Sequence, residues 1–579
     1  MSLLEKIDPP DEEEAPLDGG RQLIRHGSDR GASLAERVSW RLQRLSWRAP
    51  FQALRRRAPL RLLAVPKDPI AGDKAAGEAL IKGRLVHRDR SLGLATLDFR
   101  DFSLPRDTID YLHSFEWLRD LAAAATRDRA AKIAEKLTER WLAAHATEAA
   151  EPAWRPDLWG RRILFWTAYA PYILSSRDAG YRGLVLTTMA RGAKHLDRNA
   201  DRAPAGVARI AAWSGAVVAA LMLQGSPVRL SRAEAGLLRA LAASLGEEGG
   251  LLSRSPIGQL ALVETLAQLR AVYNAGRHEP PEALTDALSG AVAALLGITL
   301  GDEGLSSWQG GNPGSKRRIA AVIEGSGVRA RALRQARGWG YQRLEAKQTI
   351  VVVDAAPPPA AKALSAGAAS TLAFEMSDGT SRVVVNCGGP GAAAEALPHG
   401  LVQGLRTTAA HSTLTLGDRN STAIHEDGTL GKGVTEVELA RDETGGIVQL
   451  EASHDGYVKR FGFAHQRQLT LSSDGRELKG QDVLVAAGRR RRGEDVPFAI
   501  RFHLAPAVEV ATTADGQGAL LRVRGSTVWQ FRCRGGRLAI EDSLWIDGDA
   551  KPQASPQLVV SGETPRDGTT IAWTFRRAA

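Results

Sequence analysis

Cysteine is nearly absent: Cys387 and Cys533 are the only two in 579 residues. They sit far apart in strand-like segments, so buried free thiols are expected and no disulfide framework is. Long hydrophobic runs are also missing. The most apolar window, 210–223, is Ala-rich and holds about 14 residues, short of the roughly 20 that a membrane-spanning helix needs. It reads as a buried helix. The first residues run from Met1 through Pro9 and Pro10 to Glu12, Glu13 and Glu14 with no apolar core behind a basic stretch, so no cleavable secretory signal is expected. Acidic pairs such as Glu247-Glu248 lack matching acids in strand contexts, which leaves no glycosidase dyad to identify. His425, His454 and His465 are too scattered to claim as metal ligands, and neither metal nor cofactor is expected. No clean 34-residue repeat occurs, which counts against a regular solenoid.

The composition is that of an ordinary soluble globular protein, 44% hydrophobic and 24% charged, and the length calls for at least two cores. The net charge of +11 is unevenly placed. Between Arg21 and Arg61, eleven arginines face only Asp29 and Glu36, so this arm alone carries about +9 and the rest of the chain is close to neutral. The basicity therefore belongs to an arm, and no nucleic-acid partner is expected. Arg489–Arg492 reads as a solvated loop.

Residues 1–20 are acidic and Pro-containing, with the composition of a disordered start. Over 33–48, Leu34, Val38, Leu42 and Leu45 form one stripe of a helix, with Arg37, Arg41, Arg44, Arg48, Trp40 and Trp47 around it. Such a helix either docks on the protein's own body or lies on an anionic membrane surface. Together 1–66 make a disordered start plus a basic arm, and 67–107 read as an extended lead-in. From 108 to 325 the period is helical. One helix opens with Ile109, Leu112, Trp117, Leu118 and Leu121, and others follow over 131–144, 159–174, 184–195, 207–223, 231–245, 256–274 and 281–296. Helices of this length in pairs predict an α-solenoid or a ring of hairpins. After Gly338 short Val-, Leu-, Thr- and Phe-rich runs alternate with turns such as Ser377-Asp378-Gly379 and Ser473-Asp474-Gly475, which predicts a large antiparallel β-sandwich over 338–579. The class is α+β, and the junction of two unlike domains is a natural ligand cleft.

Several motifs fall in a telling order: Gly340-Tyr341-Gln342-Arg343-Leu344, Leu372-Ala373-Phe374-Glu375-Met376-Ser377, Val385-Asn386-Cys387-Gly388, Thr408-Ala409-Ala410-His411-Ser412-Thr413-Leu414 and His465-Gln466-Arg467-Gln468-Leu469. On these residues the chain resembles the heparinase II/III family, bacterial polysaccharide lyases with an N-terminal (α/α) toroid and a C-terminal sandwich. The resemblance spans about 105–575 and is strongest over 338–485. It implies β-elimination on an acidic, uronate-containing polysaccharide. A carboxylate is neutralised by Asn, His or Arg, a His or Tyr base removes the neighbouring proton, and Tyr protonates the leaving oxygen.

Carried over residue by residue, the pattern is depleted. The toroid Asn-His pair of the family falls near Val207 and Ala208. The Tyr after a Ser-Pro is replaced by Ile257, Gly258 and Gln259 behind Ser255-Pro256. The first sandwich His falls within Ala368-Ala369-Ser370. Asn199, His195 or Tyr273 would have to stand in. The surviving candidates for catalysis are His411, matching the second sandwich histidine, and Arg254 beside the Ser-Pro turn. Arg406, Arg419, Asn420 and Tyr341 are the substrate-binding candidates, with a sandwich anchor as the plainer role for Tyr341 and a solvated turn for Arg419 and Asn420. Two functions stay open: an active lyase, or a degenerate relative that binds acidic glycan or organises envelope polysaccharide. The resemblance implies the cell envelope or periplasm, whereas the N-terminus allows the cytoplasm.

Overall fold

Proline and glycine cut the first half of the chain into helices, and the change to a two-residue period builds sheets after them. The computed structural model describes residues 22–25, 60–88, 90–147, 151–224, 227–336, 338–360, 364, 367–487, 495–523 and 527–578. The acidic start, the 33–48 helix and Arg489–Arg492 lie outside the described residues.

The helices are α1 (Lys74–Ile81), α2 (Arg106–Ser114), α3 (Trp117–Ala124), α4 (Arg127–His145), α5 (Pro156–Ala168), α6 (Ala179–Asn199), α7 (Val207–Met222), α8 (Pro227–Ala242), α9 (Pro256–Gly276), α10 (Glu282–Gly297) and α11 (Lys316–Ser326). None of the described helices is long and apolar enough to cross a membrane. The lead-in is not wholly extended. Asp73 caps α1 by accepting from the Ala75 and Ala76 amides, and β2 (Arg84–His87) and β3 (Arg90–Gly93) form a hairpin behind it. The expected first helix is two, because Phe115 adopts the left-handed conformation (φ 67°) and the Trp117 indole closes the break by donating to the Leu112 carbonyl.

Two sheets follow. The larger runs, in spatial order, β1 (Gln22–Arg25), β9 (Glu436–Thr444), β10 (Ile447–His454), β11 (Phe463–Leu471), β12 (Glu477–Ala486), β19 (Gly568–Arg577), β16 (Val528–Arg534), β15 (Gly518–Val523) and β14 (Val508–Thr512). The smaller runs β17 (Arg537–Ile546), β18 (Pro552–Thr564), β13 (Val496–Leu504), β7 (Ser381–Val385), β6 (Phe374–Asp378), β5 (Thr349–Asp354) and β4 (Tyr341–Ala346), with β8 (Leu414–Leu416) also paired to β13. Every pairing is antiparallel, and one core of Phe374, Phe502, Phe531, Trp573 and Phe575 fills the space between the sheets. This is a helical toroid followed by a β-sandwich. The two cysteines are free and buried.

Charged groups inside each core have partners. In the toroid Arg162 lies 4.1 Å from the Trp141 ring and 4.5 Å from that of Trp159, and donates to the His113 and Ala153 carbonyls. In the sandwich Asp482 accepts from Nε and Nη2 of Arg467, from Trp573 and from His465, whose other ring nitrogen faces His454 at 3.3 Å. Among the described residues no group of three or more His, Cys, Asp or Glu could hold a metal.

Two outcomes test this packing. Helices α5 and α7 meet at Gly160 and Gly215, where a methyl on Gly160 would overlap the Ala211 backbone. Gly160→Ala should therefore cost about 1–3 kcal/mol or more in unfolding free energy, measured in denaturant. Burial also pushes imidazoles down, His195 to about 4, His503 to about 3 and His113 to about 2, with His411, His454 and His465 lowered too. A histidine held neutral in the fold contributes stability that is complete above its unfolded pKa near 6.5 and is lost as pH falls toward the folded value. Burial raises Asp120 to about 6 and also lifts Asp110 and Glu375, which works in the opposite sense, but the histidines outnumber them. Stability should thus fall by the order of a few kcal/mol between pH 7 and pH 4, and His503→Gln should flatten that slope.

Candidate functional site

The two domains meet where the turn before α9 touches the outer end of β5. Ser255 caps α9 on the Gly258 amide, and Arg254, just before it, is held in the left-handed conformation (φ 55°). That backbone aims its guanidinium into the seam. Nε donates to the Trp339 carbonyl at 2.8 Å, Nη1 to the Pro357 carbonyl at 2.9 Å, and Nη2 pairs with the Asp354 carboxylate. The Tyr341 ring lies under it at 4.6 Å, and the Tyr341 hydroxyl donates back to the Arg254 carbonyl at 2.7 Å. Asp354 also accepts from Ser370 at 2.5 Å and from Gln309 at 3.4 Å. Burial alone would lower the Arg254 pKa, yet Asp354 holds it above the ordinary value.

Above this node opens a cavity of about 510 Å³, within the ordinary range for a ligand pocket. Its walls come from Ala205-Gly206 before α7, Leu251–Arg254 before α9, the Pro357-Pro358-Pro359 run of the sandwich, and Ile24 and Arg25 of β1. Leu252 remains 46% exposed at the site. Among the described lining residues the only ionisable side chains are Arg25 and Arg254.

The other candidates sit apart from that surface. His411 is buried and is not in the wall. Its Nδ1 donates to the Thr407 carbonyl at 2.7 Å, and burial lowers its pKa although that bond and Asp354 raise it. Arg406 is buried too, with Nε on the Gly367 carbonyl at 2.8 Å and Nη1 on Gln403 at 3.1 Å. Asn420 accepts from the Thr408 amide at 3.0 Å, and the Arg419 side chain is exposed on the turn after β8. Arg406 and Asn420 brace the 404–421 loop with contacts inside the chain. Asp354, Ser370 and Gln309 were missed. The one signal for Asp354 was an acid closing an otherwise apolar strand.

Residues 328–574 match the family described as Heparinase II/III-like, C-terminal. The whole-chain shape agrees: superposition on the crystal structure of heparinase III gives a TM-score of 0.64 at 12% identity, covering 93% of this chain and 89% of that one. Residues 328–574 of this chain are a heparinase II/III-like C-terminal domain. Heparan sulfate lyase HepC from Pedobacter heparinus gives 0.58 at 14% identity, covering 94% and 88%. At such identities these likenesses establish the fold alone. In sequence, FtsZ-localized protein C of Caulobacter vibrioides is 29% identical over 541 residues, 90% of this chain and 91% of that protein.

On this fold the depleted positions can be located. Val207 and Ala208 begin α7 directly behind the cavity's Gly206. Ala368 and Ala369 are buried, and Ser370 is spent on Asp354. Gln259 accepts from the Leu251 amide and donates to the Gly249 and Ala291 carbonyls, so it holds the turn together. Of the residues that would have to stand in, Asn199 donates to the His195 carbonyl and Tyr273 donates to Glu234, and none is in the cavity wall. Removing the Arg254 side chain should leave Asp354 as an uncompensated buried charge, and Arg254→Ala should cost about 3–5 kcal/mol. Restoring neutrality with Asp354→Asn in the same chain should recover part of that loss, read by denaturant unfolding.

Proposed function

We propose that this protein is a binding member of the lyase fold and does not cleave polysaccharide. The observation that carries this is the lining of the seam cavity: among the described residues its ionisable side chains are two arginines, with no described imidazole, phenol or carboxylate to take or give a proton. β-Elimination needs a base within about 3 Å of the proton it removes. Arg254, which would neutralise a uronate, already spends its donors on Asp354 and on backbone carbonyls.

The ligand we infer is a short anionic stretch of an acidic glycan. Arg25, with 73% of its side chain exposed, brings a guanidinium to the cavity; it pairs with Glu436 at 3.7 Å, an exposed contact that an anionic ligand can displace. The name of the Caulobacter vibrioides relative associates that protein with FtsZ. We extend this to the present chain, as a protein that acts alongside FtsZ and links it to envelope polysaccharide.

The test is direct. Incubation with heparan sulfate, alginate or a bacterial exopolysaccharide should give no ultraviolet absorbance from unsaturated uronate, while heparan sulfate should bind saturably and more weakly to Arg25→Glu. A fluorescent fusion should coincide with FtsZ in cells. An unsaturated product that disappears in His411→Ala would establish the lyase instead.

A further inference from the structure

A second cavity, of about 410 Å³, lies away from the seam cavity and has a different chemistry. The turn between β6 and β7 brings Thr380 and Ser381, and Arg382 follows on β7. The β13–β14 turn brings Ala505-Pro506-Ala507, β17 and its turn bring Trp545 and Asp547, and the toroid loop before α11 brings Asp302. This is a concave site built by both domains, of a size ordinary for a small-molecule pocket.

Its hydrogen-bonding capacity is one-sided. The Arg382 donors are committed: Nε and Nη2 to Asp302 at 3.0 and 3.1 Å, Nη2 also to the Leu305 carbonyl at 2.8 Å, and Nη1 toward Glu375 at 3.5 Å. Asp547 is held in place by the Asp549 and Lys551 amides, both at 2.9 Å, and by the Gln553 amide group at 3.1 Å. Asp547 Oδ1 is filled by the two amides, and its Oδ2 can still accept a further bond. Asp302 is filled by Arg382, by the Gly304 amide at 3.1 Å and by Lys316 at 3.4 Å. The site therefore keeps one fixed carboxylate acceptor, at Asp547, and no free guanidinium among its described residues. Against that acceptor stand Trp545, Ala505, Pro506, Ala507 and Val523, an apolar wall. The Trp545 indole N–H is itself buried without a partner.

We infer that this cavity is a binding site for a neutral pyranoside unit, with one ring hydroxyl donating to Asp547 Oδ2, its neighbours facing the Thr380 and Ser381 hydroxyls, and the C–H face of the ring resting on the Trp545 side. A polyol supplies the donors that the acceptors require, and its ring supplies the apolar face. A uronate does not suit it: its carboxylate would meet Asp547 and find the only guanidinium already engaged. The site is thus distinct in ligand class from the anion-binding reading of the seam and does not rest on it.

The experiment is a titration of the full chain with glucose, N-acetylglucosamine, glucuronate and ethylenediamine, followed by tryptophan fluorescence and saturation-transfer NMR. Saturable binding of a neutral sugar is expected in the millimolar range, with glucuronate roughly tenfold weaker. Trp545→Ala should abolish binding. Asp547→Asn, which keeps the turn's acceptor but removes the charge, should narrow the gap between glucose and glucuronate, a change that a purely structural aspartate would not produce. Arg25→Glu should leave the neutral-sugar response intact. The inference is overturned if no neutral sugar binds at tens of millimolar, if binding survives Trp545→Ala, if glucuronate binds as well as glucose, or if only the diamine binds.

Discussion

The ion pair between Arg254 and Asp354 joins one helix start in the toroid to one strand end in the sandwich, one hundred residues apart in sequence. Two charges taken out of water are costly unless their geometry is good and their remaining hydrogen-bonding capacity is filled. Here the guanidinium also reaches the Trp339 and Pro357 carbonyls, and the carboxylate also receives Ser370 and Gln309. The same arrangement recurs along the boundary. Arg343 of β4 donates to the Thr299 carbonyl at 2.6 Å, Ser377 of β6 accepts from the Gly301 amide, and Glu375 accepts from the Ser307 amide. The sandwich therefore rests on the toroid through a set of directed polar contacts, which fixes register as well as distance.

That construction gives the cations of the boundary a structural role. A guanidinium that holds two domains together cannot also neutralise a uronate without releasing its partner. Arg382 repeats the case at the second cavity, where Asp302 belongs to the toroid loop and Arg382 to the sandwich. Committing these arginines to the interface leaves their guanidinium donors on protein acceptors in both places.

The architecture was legible because it depends on period. Apolar positions at helical spacing up to Leu296, then short β-rich runs after Gly338, are local properties. The break at Phe115 was not legible, since a left-handed aromatic leaves no compositional mark. Around His411, Leu414 and Leu416 enter the sandwich core while Thr413 and Thr415 do not, but such alternation in a sequence does not reveal whether a polar face looks into a cleft or is covered by another loop. Here Thr407 covers it. His454 and His465 looked too distant in sequence to share anything. Antiparallel pairing of β10 with β11 sets them directly opposite, and pairing register is a tertiary fact that spacing cannot supply. The seam node failed to show for the same reason, as Asp354 and Arg254 are each unremarkable in their own segments.

The contrast between the two cavities follows from which side chain is left over after the interface is satisfied. At the seam, Asp354 is consumed beneath the floor by Arg254, and the described wall is left with Arg25, whose exposed guanidinium has Glu436 as its partner at 3.7 Å. At the second cavity the arginine is consumed and Asp547 is left, so the residual capacity is for accepting hydrogen bonds. A polymer that alternates a charged sugar with a neutral one presents both kinds of group. A protein holding one of each kind of pocket on a rigid frame would gain effective concentration for such a chain without a strong contact at either place.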